Sequence, residues 1–290
     1  MKDTSSVATH RWMGVLLIVI SAASFGALPI FIRLAYRTGA DPTTVLVLRY
    51  SIAAVVMVTI MFIRKTPLPR GRILLGLVLM GAVGYVGQSF SYFTALTMAS
   101  ASLVALLLYL YPAIVTMLSA LFFKERLTPA KVGALTLALV GTALTIGPTG
   151  SGRVVGILLA IAAAVIYSVY ILVGSRIMPH ASAIGASTTV ITAAAVVYVS
   201  IVAVRGPVFP QTFFGWVDIF AIALVSTVLP IVTFLAGLER VGPTRASTLS
   251  TFEPVMSVML AILILGETIS PLQVLGGVLI LAAVIVCSVT

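Results

Sequence analysis

Ten long apolar runs, hardly broken by charge, constrain this chain more than any other feature. They lie at about residues 13–35, 43–63, 73–94, 99–123, 130–147, 154–175, 183–204, 215–237, 243–265 and 271–289. A helix crossing the hydrocarbon core of a bilayer needs about 20 apolar residues, each rising ~1.5 Å. Of the 290 residues, 61% are hydrophobic and 8% charged, against roughly 45–50% and about 25% in soluble domains. Too little polar surface remains to clothe a water-soluble globule. Disordered chains are poor in apolar residues, so disorder is excluded as well. Cys287 is the only cysteine, which rules out an intrachain disulfide. A transmembrane barrel would alternate apolar and polar residues. The expectation is an all-α membrane protein. Thr128-Pro129, Gly242-Pro243 and Ser270-Pro271 each place an N-cap before a proline at the first helical position.

Net charge is +10, from 17 Lys and Arg against 7 Asp and Glu. In a membrane protein this balance reports topology, because cytoplasmic loops are rich in Lys and Arg. With the N-terminus inside, Lys2, Arg11, Arg64, Lys65, Arg70, Arg72, Lys124, Arg126, Lys131, Arg176, Arg240 and Arg245 fall on the cytoplasmic side. Arg33, Arg37, Arg153 and Arg205 fall opposite, and Arg49 lies inside the second run. The split predicts a multi-pass protein of the cell inner (plasma) membrane with both termini cytoplasmic. The cluster between the second and third runs is expected to meet anionic lipid heads, and nucleic acid is not expected as a partner. The first run is read as a retained span and not a signal peptide, since it exceeds twenty residues and has a counterpart at 154–175.

That counterpart belongs to a repeat covering the whole chain. Glu125-Arg126-Leu127-Thr128-Pro129 recurs as Glu267-Thr268-Ile269-Ser270-Pro271, an offset of 142. The same offset carries Arg11 onto Arg153, Gly14 onto Gly156, Phe25 onto Tyr167, Leu96 onto Leu238 and Pro112 onto Pro254. Residues 1–148 and 149–290 therefore read as two copies of one five-helix unit, together forming one transmembrane domain. Five is odd, so the second copy must enter the membrane from the opposite side. The expected architecture is ten transmembrane helices, as two inverted five-helix repeats around a central cavity. Inverted repeats recur in secondary transporters, with the substrate near the midplane between the halves.

The chain resembles the drug/metabolite transporter superfamily, in particular proteins with two EamA-type repeats. The resemblance rests on Leu48-Arg49-Tyr50, on Tyr111-Pro112 and Glu253-Pro254, and on Leu265-Gly266-Glu267. It implies a carrier of small metabolites. Tyrosines gathered in the inner helices look most like the branch that exports aromatic amino acids. The chain departs from the pattern at two positions: Ile191 stands where the second half would repeat Arg49, and Tyr111 answers Glu253.

Charged residues inside a membrane are costly and are functional hypotheses by default. Arg49 lies about six residues into the second run and Glu253 about ten into the ninth. Arg49 either snorkels to the outer surface or works within the bundle. Glu253 is a structural carboxylate, a substrate anchor or a proton-coupling group. Their opposite signs and similar depths predict a pair, direct or through one water. Glu125 and Glu267, at helix ends, read as boundary residues. The third run carries a stripe of Gly81, Gly84, Tyr85, Gln88, Ser91 and Tyr92 at helical spacing. The expected substrate-binding residues are Ser24, Tyr85, Gln88, Tyr92, Tyr109, Tyr167, Ser168, Ser247 and Thr251. Such a lining suits a small amphipathic solute, and helix packing alone accounts for part of it. Pro112 and Pro254 each remove a backbone hydrogen bond mid-run and read as hinges.

Other classes fare worse. No G-x-x-x-x-G-K-[ST] loop is present. His10 and His180 fall in a tail and a loop, leaving no intramembrane nucleophile–base pair or metal-ligand set for an enzyme. No cofactor is called for. A multidrug or other metabolite carrier, or a passive channel, stays open beside the amino-acid exporter. A small-molecule substrate and membrane lipid are the expected partners, and a monomer suffices.

Overall fold

The computed structural model describes residues 4–123, 128–146, 153–177, 180–241, 249–250 and 252–289, and among these every regular element is helical. The first half comprises α1 (Thr4–Gly26), α2 (Leu28–Arg37), α3 (Pro42–Ile63), α4 (Gly71–Leu79), α5 (Val86–Ala95), α6 (Ala101–Leu108), α7 (Tyr111–Phe123) and α8 (Pro129–Ile146). The second comprises α9 (Val154–Ile177), α10 (Ala183–Arg205), α11 (Phe213–Phe220), α12 (Leu229–Val241), α13 (Phe252–Leu265) and α14 (Pro271–Val289). Seven helical stretches are long and apolar enough to cross a membrane, and Val132–Thr145, Phe252–Leu265 and Pro271–Val286 are shorter apolar helices. Large apolar side chains such as Leu139, Phe213 and Leu263 lie on the outside, as a lipid-facing surface requires.

Local chemistry sets the helix ends. Asp41 caps α3 through the Thr43 and Thr44 amides, with Pro42 at the first position. Burial alone would raise the Asp41 pKa, but hydrogen bonds from Thr43 and Thr44 outweigh it and hold the carboxyl below its ordinary value. Ser270 and Gln273 cap α14 reciprocally, at 3.2 and 3.0 Å, which is a capping box. The expected caps before Pro129 and Pro271 are therefore matched by helices that begin there; Gly242-Pro243 lies outside the described residues.

Several runs are less regular than their hydropathy predicts. The first is interrupted at Ala27, just before Pro29. The fourth breaks at Tyr109 and Leu110, with Pro112 opening α7. Pro254 sits in the first turn of α13, where a proline is tolerated. Between α4 and α5 the chain forms a π-helical segment, Met80–Tyr85, and between α11 and α12 another, Ala221–Val228. Shifted by 142, the first would cover 222–227, which lies inside the second.

Two pairs of equivalent helices, α8 with α14 and α3 with α10, pack antiparallel. On α8 and α14, a Cβ added at Gly141 would lie 2.7 Å from the Gly276 carbonyl oxygen, while Gly276 faces Thr145 and Gly141 faces Ile280. On α3 and α10, Thr188 donates to the Met57 carbonyl at 3.4 Å and Tyr50 stacks on Tyr198. The first helix of one half meets the third of the other: Ser21 donates to the Pro230 carbonyl at 2.8 Å and Ser226 to the Ser24 carbonyl at 2.7 Å.

Candidate functional site

Two cavities meet near the centre of the bundle. A narrow one, about 120 Å³, is lined by Leu28, Arg49, Tyr85, Gln88, Ser89, Tyr92, Phe93, Leu108 and Tyr109. A wider one, about 530 Å³, is lined by residues including Ser21, Pro112, Thr116, Ile171, Phe234 and Ser250. Phe25, Tyr111, Tyr167 and Glu253 line both. These four residues form the neck, and they are two pairs related by the offset of 142: Phe25 with Tyr167, and Tyr111 with Glu253.

Aromatic rings wrap the site. Tyr198, Tyr50, Tyr85, Tyr170, Tyr167, Tyr111 and Tyr109 form one unbroken ring-to-ring chain, with centroid separations of 5.4, 5.5, 5.6, 5.9, 4.9 and 5.8 Å. That is seven of the chain's nine tyrosines. Tyr198 is fixed by donating to the Val86 carbonyl at 3.0 Å and by contact with the Ser89 hydroxyl at 3.0 Å.

Arg49 is 4% exposed. Its Nε donates to Thr227 Oγ1 at 2.9 Å, and Thr227 in turn donates to the Ile222 carbonyl, five residues back in the π segment. The guanidinium carbon lies 5.1 Å from the Tyr50 ring centre and 5.3 Å from that of Phe93, within cation–π range. Glu253 is hydrogen-bonded by Tyr109. No direct ion pair joins Arg49 to Glu253: each has another partner, and both face the narrow cavity. The direct form of the expected pair is thus absent. Tyr92 lies within electrostatic reach of both charges.

The expected site residues divide. Tyr85, Gln88, Tyr92, Tyr109 and Tyr167 line the narrow cavity. Gly81 packs against the Val190 carbonyl and Gly84 against Tyr170. Ser24 and Ser168 line neither cavity. Ser168 donates to the Ala164 and Tyr111 carbonyls, and the Ser24 carbonyl accepts from Ser226. Ser247 and Thr251 lie outside the described residues. Ser89, Phe93 and Tyr111 join the wall beyond those expected.

At one end, hydrogen bonds tie the helices of the bundle together. Arg33 donates to the Leu96 carbonyl at 2.7 Å and Tyr36 to the Phe93 carbonyl at 2.9 Å. Glu267 reaches across to cap α6, accepting from the Ala101 amide at 2.7 Å, the Ser102 amide at 3.1 Å and the Ser102 hydroxyl at 2.7 Å. It is a clasp between the halves and not a boundary residue beside headgroups. Toward the other end a third cavity, about 430 Å³, shares Ile231 with the wide one and reaches Arg64, Thr66 and Ser182.

The EamA-like transporter family model matches residues 12–147 and again 154–289. The chain belongs to the EamA-like transporter family. It is a transporter with two EamA repeats and not an enzyme. It is 25% identical over 279 residues to the uncharacterized transporter YcbK of Bacillus subtilis, covering 91% of this chain and 88% of that one. It is 30% identical over 190 residues to the aromatic amino acid exporter YddG of Ancylobacter novellus, covering 63% and 65%. To the threonine/homoserine exporter RhtA of Escherichia coli it is 32% identical over 132 residues, covering 44% and 43%. A solved crystal structure shares the fold at a TM-score of 0.61, with 23% identity over 98% of this chain and 96% of that one. The repeated apolar helices make this EamA transporter a multi-pass membrane protein.

Proposed function

We propose that this protein is a secondary transporter that exports small amphipathic metabolites, aromatic amino acids foremost, by alternating access. The observation carrying this reading is the neck: two offset-related pairs, Phe25 with Tyr167 and Tyr111 with Glu253, surrounded by the tyrosine chain. Aromatic pairs contribute about 0.5–1.5 kcal/mol beyond area burial, so a solute carrying a ring gains most from such a wall. The similarity to YddG, named an aromatic amino acid exporter, supports the same class.

The proposed topology is ten spans, as inverted repeats, in the inner membrane with both termini cytoplasmic. Antiparallel packing of equivalent helices and the 12-to-4 charge split support it. In this orientation the clasped end faces outward and the wide cavities lead inward, so the molecule is poised to load from the cytoplasm. The break before Pro112 and the equivalent proline of the second half, Pro254, act as hinges. No partner beyond lipid and substrate is required, and a monomer carries out the cycle.

The decisive experiment is counterflow in proteoliposomes preloaded with a panel of amino acids. Exchange of phenylalanine, tyrosine or tryptophan is expected. Exchange of another solute class without any aromatic amino acid would overturn the substrate assignment. Orientation is tested separately, with a cysteine in the 64–70 loop in a Cys287→Ser background. It should resist an impermeant thiol reagent applied outside intact cells, and rapid labelling would reverse the topology.

A further inference from the structure

The narrow cavity presents two buried opposite charges that do not meet. Of the five guanidinium N–H donors, the one on Arg49 Nε is committed to Thr227, and no hydrogen bond engages the terminal nitrogens among the described residues. Contact with the Tyr50 and Phe93 rings and the Thr227 bond hold the planar group in place. Its terminal donors are thereby left for a planar, two-oxygen acceptor. Glu253 accepts from Tyr109 and otherwise faces the same cavity. Gln88, on the wall beside them, makes no side-chain hydrogen bond within the described residues.

A buried charge without a counter-charge is costly, and here one ligand can neutralise two of them. A monoanion satisfies only Arg49 and a monocation only Glu253. A solute bearing carboxylate and ammonium on one carbon satisfies both. We propose that the narrow cavity is a zwitterion site, in which Arg49 holds the α-carboxylate, Glu253 holds the α-ammonium, and the side chain passes through the Phe25–Tyr111–Tyr167 neck toward the wide cavity. This deepens the transporter reading and rests on it. Arg49 and Glu253 become specificity-determining residues, one for each end of the zwitterion. The π segment acquires a role too, because Thr227 connects the carboxylate-binding arginine to the third helix of the opposite repeat.

The test uses the full-length protein in proteoliposomes, with labelled phenylalanine counterflow competed by L-phenylalanine, 2-phenylethylamine or 3-phenylpropionate. In the wild type, L-phenylalanine should compete at least tenfold better than either analogue. Glu253→Gln should weaken L-phenylalanine at least tenfold while leaving 3-phenylpropionate unchanged. Arg49→Gln should weaken L-phenylalanine similarly while leaving 2-phenylethylamine unchanged. Equal weakening of all three competitors by both variants, or no change for L-phenylalanine, would overturn the assignment. Should either glutamine variant fail to elute as a monodisperse species, Arg49→Lys and Glu253→Asp serve instead. These keep each charge, so weakened phenylalanine with the wild-type order of the two analogues supports the proposal, and an unchanged phenylalanine response overturns it. A wild type that exchanges no aromatic amino acid refutes the proposed function. A wild type that exchanges phenylalanine but whose variants do not separate the analogues refutes only the zwitterion site.

Discussion

The two halves of this chain share a scaffold and differ in what they place on it. Both carry a π segment at matching positions in the third helix, a proline in the fourth, and a glutamate before the fifth. At the neck, however, Phe25 answers Tyr167 and Tyr111 answers Glu253, and in the second helix Arg49 is answered by Ile191. Ile191 is 2% exposed, an ordinary core side chain. The two EamA repeats supplied a common frame. The charges that recognise a solute are asymmetric, as they must be for a ligand that has two different ends.

Making one half copy the other tests this contrast. Arg49→Ile should have the largest effect, since hydrogen bonds to charged groups contribute about 1.5–3 kcal/mol, or roughly 10–100-fold in affinity. Counterflow measures it, and transport at the wild-type rate would mean that the asymmetry at this position carries nothing. Next, Gly276→Ala copies Ala134 into the seam between α8 and α14. The new Cβ would collide with the Gly141 carbonyl oxygen and the Thr145 hydroxyl. Overpacking of this kind costs about 1–3 kcal/mol, so a lower melting temperature in detergent is expected, and an unchanged one would reveal slack in the seam. At the neck, Tyr167→Phe copies Phe25 and keeps the ring, so affinity should barely move. Tyr167→Ala should cost roughly tenfold, about 1.4 kcal/mol. Equal effects of the two would assign the residue's role to its hydroxyl.

The smallest effect is expected for Asp41→Ala, which copies Ala183. Loss of an N-cap costs about 1 kcal/mol, read as a modest fall in melting temperature. The sign with pH is fixed by the lowered Asp41 pKa. Its contribution is complete above the ordinary carboxylate value of 3.8 and is lost as pH falls through the lower value of the folded protein. A variant whose deficit grows on acidification would contradict this.

Much of the architecture was legible in the sequence, because apolar run length and a gap-free offset are properties of the chain itself. The tyrosine and glutamine stripe of the third helix was legible too, since helical spacing puts Tyr85, Gln88 and Tyr92 on one face. Other features depend on partners far away in sequence. Glu267 read as a boundary residue because the amides it caps lie 166 and 165 residues away. Ser24 and Ser168 read as site residues, yet a serine in an apolar helix can bond back to the preceding turn, as Ser168 does to Ala164. Arg49 was expected to turn to Glu253, and instead its Nε goes to a threonine whose position depends on a π turn. An apolar run conceals such a turn, because one extra residue leaves its composition unchanged.

Those π turns also date the duplication. A π turn takes up one residue more than the α-helical path it replaces. Had either half gained that residue alone, positions before and after the turn would be separated by different offsets. They are not: Gly14 and Gly156, ahead of the turns, and Pro112 and Pro254, beyond them, are both 142 apart. The ancestral repeat therefore already carried the extra residue, and both copies inherited it.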